Sequence, residues 1–233
     1  MISARAFVTP LARAAYRPQA LRIAARATSI RGQTALNSTI SEAITKDHRE
    51  LETYYNEIIN NPDDIDHTTR YGNQFTWELA RHSVAEELLI YPAMEKYMGE
   101  KGKQHAESDR KQHHELKILL KDFQNTKATD TQYIPKLQNL WTLLSQHIAE
   151  EEKHDLPALE QALSLSENTA DSQSLAKNFA RTKAFVPSRS HPAAGEKPWF
   201  EGPMGLLAAP IDHVADLFRK FPDGVVSPNP SKK

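Results

Sequence analysis

Two stretches of the chain repeat one polar pattern 65 residues apart, on stripes that are otherwise apolar. Lys46-Asp-His48-Arg-Glu50-Leu51 corresponds to Lys111-Gln-His113-His-Glu115-Leu116. His82, followed by Glu86, Glu87 and Pro92, corresponds to His147, followed by Glu151, Glu152 and Pro157. Each half therefore reads K-x-H-x-E-L and, 34 positions after its histidine, H-x-x-x-E-E-x-x-x-x-P. A repeat of this length implies one supersecondary unit used twice. Two helical hairpins packed about a pseudo-twofold axis are the simplest structure that obeys it.

The helices are legible around these motifs. From about Ser38 to Gln161 glycine is scarce, and apolar residues recur at steps of three and four. The first helix, about Ile40 to Ile59, aligns Ile40, Ile44, His48, Leu51, Tyr55 and Ile58, with Ser38 or Ser41 as its cap. Asn61-Pro-Asp-Asp64 breaks it. The second aligns Tyr71, Phe75, Leu79, His82, Glu86 and Leu89 before meeting Pro92, and the chain turns again near Gly99 and Gly102. The third carries Arg110, His113, Leu116, Leu120 and Phe123; the fourth carries Ile134, Leu137, Leu140, Leu144, His147 and Glu151. Four such helices with short connections predict an all-α, antiparallel up-down four-helix bundle over residues 37–163.

Histidine and glutamate stand where leucine belongs. Residues four apart share a helix face, with Cβ atoms about 5–6 Å apart. His82 can therefore hold a metal that Glu86 also reaches or bridges to a second, and His147 with Glu151 repeats the arrangement. A single buried histidine is usually a hydrogen-bonded core residue. Four of them beside two inward carboxylates are not so explained, because buried carboxylates must be paired or neutralised. A divalent cation satisfies both acids and all four imidazoles. On the third helix the stripe selects His113 over its rival His114. Glu87, Glu150 and Glu152 lie about 100° round from the stripe and read as solvated, or as neighbours of the ligands. Asp47 reads equally as an exposed residue or as one orienting an imidazole. His67, His105, His191 and His213 read as surface residues, and His154 falls near its helix end.

The absence of cysteine excludes disulfides, zinc–thiolate sites, iron–sulfur ligation and thiol catalysis. Ligands restricted to His, Asp and Glu suit iron, manganese or zinc better than copper(I). No run reaches the roughly 18 apolar residues of a membrane span. With 29 basic and 30 acidic residues, charge gives no sign of a nucleic-acid partner, and none is expected. Residues 1–36 hold six arginines and no acid, with Phe7, Leu11, Ala14 and Ala15 on one helical face. That is the composition of a mitochondrial transit peptide, and it predicts a matrix location. Residues 164–233 form an extension, in which Ile211, Val214, Leu217, Phe218 and Phe221 predict a short amphipathic helix docked on the bundle.

Asp47-His48-Arg49-Glu50-Leu51, His82-x-x-x-Glu86-Glu87 and His147-x-x-x-Glu151-Glu152 resemble the hemerythrin-like (HHE cation-binding) family over about residues 40–160. The stretches Arg181–Pro192 and Gly205–Asp212 look like the extension of fungal members. The resemblance implies a bundle enclosing two irons bridged by carboxylates and an oxo or hydroxo group. It implies His48, His82, Glu86, His113, His147 and Glu151 as ligands. Oxygen-carrying hemerythrins have a second histidine four residues along the third helix, where this chain has Lys117. The position left unfilled is one for water, for a carboxylate such as Glu152, or for O₂.

These features lead to a non-heme di-iron protein that binds or senses O₂, NO or iron, more a binding protein than a fast enzyme. The alternative is an oxidoreductase (peroxidase, ferroxidase or NO-detoxifying) supplied by an external electron donor, since the chain shows no nucleotide loop, flavin site or Ser-His-Asp order. A structural or zinc-loaded bundle is the third reading.

Overall fold

The computed structural model of the chain describes residues 38–165, 171–194 and 208–228. The arginine-rich leader, and the part of the extension from 195 to 207, lie outside the described residues.

Thr39, rather than either neighbouring serine, starts helix α1 (Ile40–Asn60). Its hydroxyl accepts from the Glu42 N–H, and the Glu42 carboxylate accepts from the Thr39 N–H. Such a reciprocal box is worth about 1 kcal/mol. The buried face is Ile40, Ile44, His48, Leu51 and Ile58, joined by Asp47 and Tyr54. Asp64 caps α2 (Ile65–Ala85) by accepting from the His67 N–H.

Neither proline of the repeat ends its helix. A widened π-turn, π1 (Glu86–Ile90), carries α2 into α3 (Tyr91–Tyr97), and Pro92 sits in the first turn of that segment. The same happens where α5 (Tyr133–Glu150) passes through π2 (Glu151–Asp155) into α6 (Leu156–Leu165). In each π-turn an N–H reaches back five residues, from Tyr91 to the Glu86 carbonyl and from Leu156 to that of Glu151. Proline has no N–H, and its ring strikes the carbonyl four residues back in a regular helix; the wider turn relieves both conflicts. Both π-turns begin at the glutamate of an H-x-x-x-E pair.

Between these rods runs α4 (Gly99–Gln124). Gly99 makes the turn into it at φ +63°. Gly102 does not turn. It lies within α4 and lets that helix press on α3, where an added methyl would overlap the Met94 carbonyl. Successive rods pack on one another, and α1 also meets α5 and α6. No strand occurs among the described residues.

Two apolar layers result. Leu51, Ile58, Phe75, Leu79, Leu120, Phe123, Leu137 and Leu144 fill one. Ile40, Ile44, Ile90, Tyr91, Met94, Leu156, Leu159 and Phe179 fill the other. The polar positions of the repeat fall between them.

The extension is bound to the bundle by polar groups more than by its apolar stripe. Helix α7 (Asp171–Thr182) buries Ser172, Ala176 and Phe179, and the Ile40 N–H donates to Ser172 Oγ at 2.9 Å. Arg70, Asn73 and Gln74 of α2 donate to the carbonyls of Phe221, Lys220 and Val226. The apolar stripe predicts a short helix over residues 211–221; α8 instead spans residues 208–216 and is turned over. Ile211, Val214, Leu217 and Phe218 face outward, while Ala209, Asp212 and Asp216 are buried. Arg189 bonds Asp216 at 3.0 Å and His191 bonds Asp212 at 2.9 Å, so ion pairs fix the inner face. Phe221 is buried as expected, against Trp77.

Candidate metal centre

The packing brings the six residues singled out by the repeat into one interior. His48 comes from α1, His82 from α2, Glu86 from π1, His113 from α4, His147 from α5 and Glu151 from π2. None is more than 2% exposed. The rings of His48 and His82 lie 5.0 Å apart, and those of His113 and His147 4.8 Å apart. Glu86 stands between the two pairs. Its Oε1 is 3.1 Å from His82 Nε2, and its Oε2 is 3.5 Å from His113 Nε2. Glu151 Oε2 is 3.3 Å from His48 Nε2. Two triads have ligand atoms close enough to share one ion each: His48, His82 and Glu86, and Glu86, His113 and His147. Glu86 belongs to both.

Every imidazole is aimed by a partner on its far side. Nδ1 of His48 lies 2.8 Å from Glu152, that of His113 2.9 Å from Glu87, that of His82 3.3 Å from Asp47, and that of His147 2.7 Å from Gln112 Oε1. Carboxylates and an amide oxygen only accept, so each Nδ1 carries a proton and each Nε2 faces inward. On His113 and His147 that Nε2 bears a free lone pair, while against burial the neighbouring carboxylates raise the pKa of His82 to about 10 and raise that of His48 as well. The partners obey the repeat: Glu87 with Glu152, and Asp47 with Gln112, are 65 residues apart. Glu87 is therefore fully buried and bonded to a ring rather than solvated. Asp47 is resolved the same way.

Cations balance these acids from outside. Arg49 holds Glu152 through bonds of 2.5 and 2.6 Å, and Lys117 Nζ lies 2.6 Å from Glu87. The place where oxygen carriers have another histidine is thus taken up by an ion pair, and Glu152 points to His48 and Arg49. His114 is exposed, as the stripe required. Of the histidines read as surface residues, His67, His105 and His191 are half-buried and bonded to acids, and His213 donates to the Val186 carbonyl. A third acidic group, Asp47, Glu50 and Glu78, has metal-like spacing. An ammonium already serves it, since Lys183 Nζ bonds both Asp47 and Glu78.

Sequence reasoning did not single out Tyr91. Its hydroxyl reaches His113 Nε2 at 2.8 Å, inside the site. The one available signal was a break in the repeat, which has Leu156 at the matching position.

The electrostatics mark the interior as incomplete. His48 Nε2 and both oxygens of Glu86 and Glu151 are buried without a hydrogen-bond partner, although imidazole nitrogens stand near them. His113 Nε2 and His147 Nε2 face each other at 3.1 Å. Burial pushes both of these imidazoles down to about 3, so they are neutral. Burial, and then the Glu151 carboxylate, pushes Glu86 up. Glu151 is held low against burial by its contact with the His48 ring. Five unpartnered ligand atoms and two opposed nitrogens in a buried interior are a costly arrangement that a cation would satisfy. The donor set is hard oxygen and imidazole nitrogen, which fits iron.

Comparison with known proteins agrees with this chemistry. Residues 39–159 match the model of the hemerythrin HHE cation-binding domain. The chain belongs to that family. It is 51% identical over 183 residues to an uncharacterized hemerythrin-like protein of Schizosaccharomyces pombe, covering 78% of this chain and 88% of that protein. No solved structure matches the chain at a significant level.

Proposed function

We propose that the protein holds a pair of iron ions between its two histidine pairs and uses them to bind or sense O₂, NO or iron. The carrying observation is the set of buried, unpartnered ligand atoms on His48, Glu86 and Glu151, in a fold that bonds its other site residues well. His48 and His82 would serve one ion and His113 and His147 the other, with Glu86 shared and Glu151 opposite it. When bound, the irons supply electrons and an acceptor for a small diatomic ligand or peroxide. The chain's own residues do the rest. Glu152, Asp47, Glu87 and Gln112 fix the ring orientations, while the apolar layers on either side exclude water. Tyr91 turns its phenolic hydroxyl toward the centre as a hydrogen-bond donor, and burial raises its pKa well above the ordinary value, so the group stays protonated.

That phenol is also what favours the second reading, an oxidoreductase fed by an external electron donor. A hydroxyl 2.8 Å from a ligand nitrogen is a hydrogen-bond donor for a reacting oxygen species, which suits turnover. The full chain loaded anaerobically with iron(II) separates the two. A reversible visible spectrum with O₂ or NO supports binding, whereas sustained consumption of peroxide or O₂ supports turnover. Zinc bound in preference to iron, with no spectral response to either gas, overturns both. We also propose a mitochondrial matrix location, from the arginine-rich leader. Import of the full chain into isolated mitochondria, with shortening at the N-terminus, is the expected result.

A further inference from the structure

The repeat fails in one coherent place. In the first half, Ile40, Ile44 and Ile90 are fully buried in the apolar layer beside the site. Their counterparts 65 residues on are His105, Asp109 and Asp155. Three apolar side chains are thus matched by an imidazole and two carboxylates.

These three make a continuous polar line. His105 lies at the outside, with 27% of its side chain exposed, and its Nδ1 is bonded to Asp155 across the gap between α4 and π2. Asp109 is one turn further along α4 and His113 one turn beyond that, each step advancing about 6 Å. Asp155 is likewise one turn from Glu151 on its own rod. Asp109 is only 6% exposed, and its Oδ2 is buried with no hydrogen-bond partner. The charged groups it faces are the carboxylates of Asp155, Glu151, Glu86 and Glu150. Asp155 faces His105, Glu151 and His154. An unpaired carboxylate among other acids weakens the fold, and isoleucine at the same place in the other half shows the apolar solution.

We propose that His105, Asp155 and Asp109 are the route by which a divalent cation enters and leaves the metal centre. The inference rests on the reading of that centre as a metal site. Ligands that are at most 2% exposed need such a route. Oxygen and imidazole donors spaced a helical turn apart allow an ion to change partners one at a time, from His105 and Asp155 to Asp109 and then to His113 and Glu151. The acids around the inner end draw the cation inward, and Ile40, Ile44 and Ile90 offer no donors at the matching positions of the other half.

The test follows cobalt(II) uptake by the metal-free full chain in a stopped-flow spectrometer, and its release to EDTA. Asp109→Ile with Asp155→Ile copies the other half. Asp109→Asn with Asp155→Asn keeps size and polarity but removes both carboxyl groups as metal donors, and decides the matter if the first variant folds poorly. Uptake and release should both slow by about ten-fold or more, the scale on which local fields alter cation on-rates, while the final cobalt content stays at the wild-type level. Unchanged rates at equal content overturn the route and leave the metal centre standing. Reduced content at an unchanged rate also overturns it, by making the acids part of the site's stability. A wild-type chain that takes up no cobalt overturns this inference and the proposed centre together.

Discussion

Lys183 ties the extension to the metal site, and its removal has a calculable cost. Its Nζ bonds Asp47 and lies 2.5 Å from Glu78 Oε1. Both carboxylates are buried, 4% and 3% exposed, and Lys183 itself keeps only 12% of its side chain exposed. Burial works against the charge on Lys183, but Glu78 and Asp47 more than compensate and raise its pKa. Lys183→Met keeps the stem and deletes the ammonium. Leaving a buried charge uncompensated costs about 3–5 kcal/mol. Arg81 still reaches Glu78 at 3.2 Å, and His82 still reaches Asp47, so about 2–3 kcal/mol is expected here. Urea unfolding of the metal-free full chain should show a midpoint lower by about 1–1.5 M at a slope near 2 kcal/mol/M. Metal affinity should also fall by about 10–100-fold, since Asp47 loses the group that positions it against His82. A loss under about 0.5 kcal/mol, typical of a neutral surface change, would refute the reasoning.

Gln112→Ala removes the acceptor that aims His147 and should weaken metal binding by about 10–100-fold. Calorimetric titration checks this, alongside circular dichroism showing the helices unchanged. Gly72→Ala places a methyl against the Tyr133 hydroxyl and should cost about 1–3 kcal/mol. Tyr133→Phe in the same chain should restore much of that in denaturant unfolding. Asp109 is pushed from 3.8 to about 9 by burial and then by Asp155. The folded state thus holds a proton that the unfolded chain gives up near pH 4, and metal-free stability should fall as pH rises from about 4 toward 9. Asp109→Asn should flatten that slope, its advantage in melting temperature growing toward pH 9; identical slopes in both proteins would contradict it.

Much of this structure could be read from the repeat, because a two-hairpin duplication leaves little choice of where its histidines go. The stripe Leu116, Leu120, Phe123 was enough to choose His113 over the exposed His114. Other features depended on contacts that no local pattern carries. The π-turns were invisible, since Pro92 and Pro157 look like helix stops unless an extra residue widens the preceding turn. Glu87 reads as solvated or as a neighbour of the ligands, and packing decides for the second by burying it against His113. Gln112 carries no chemical signal except that it repeats Asp47. Lys183 lies 136 residues from the aspartate it serves, so only the tertiary fold could reveal it. The outward turn of Ile211, Val214 and Phe218 follows from Asp212 and Asp216 finding buried partners in His191 and Arg189. Specific ion pairs prevailed there over amphipathic pattern.

The most direct measurement is the iron content of the full chain after anaerobic loading and desalting, made beside the Glu86→Ala with Glu151→Ala variant. Two irons per wild-type chain, and loss of that stoichiometry in a variant that keeps its helical content, is the expected result. A wild-type chain that retains no iron, or a variant that still retains two, would contradict the account.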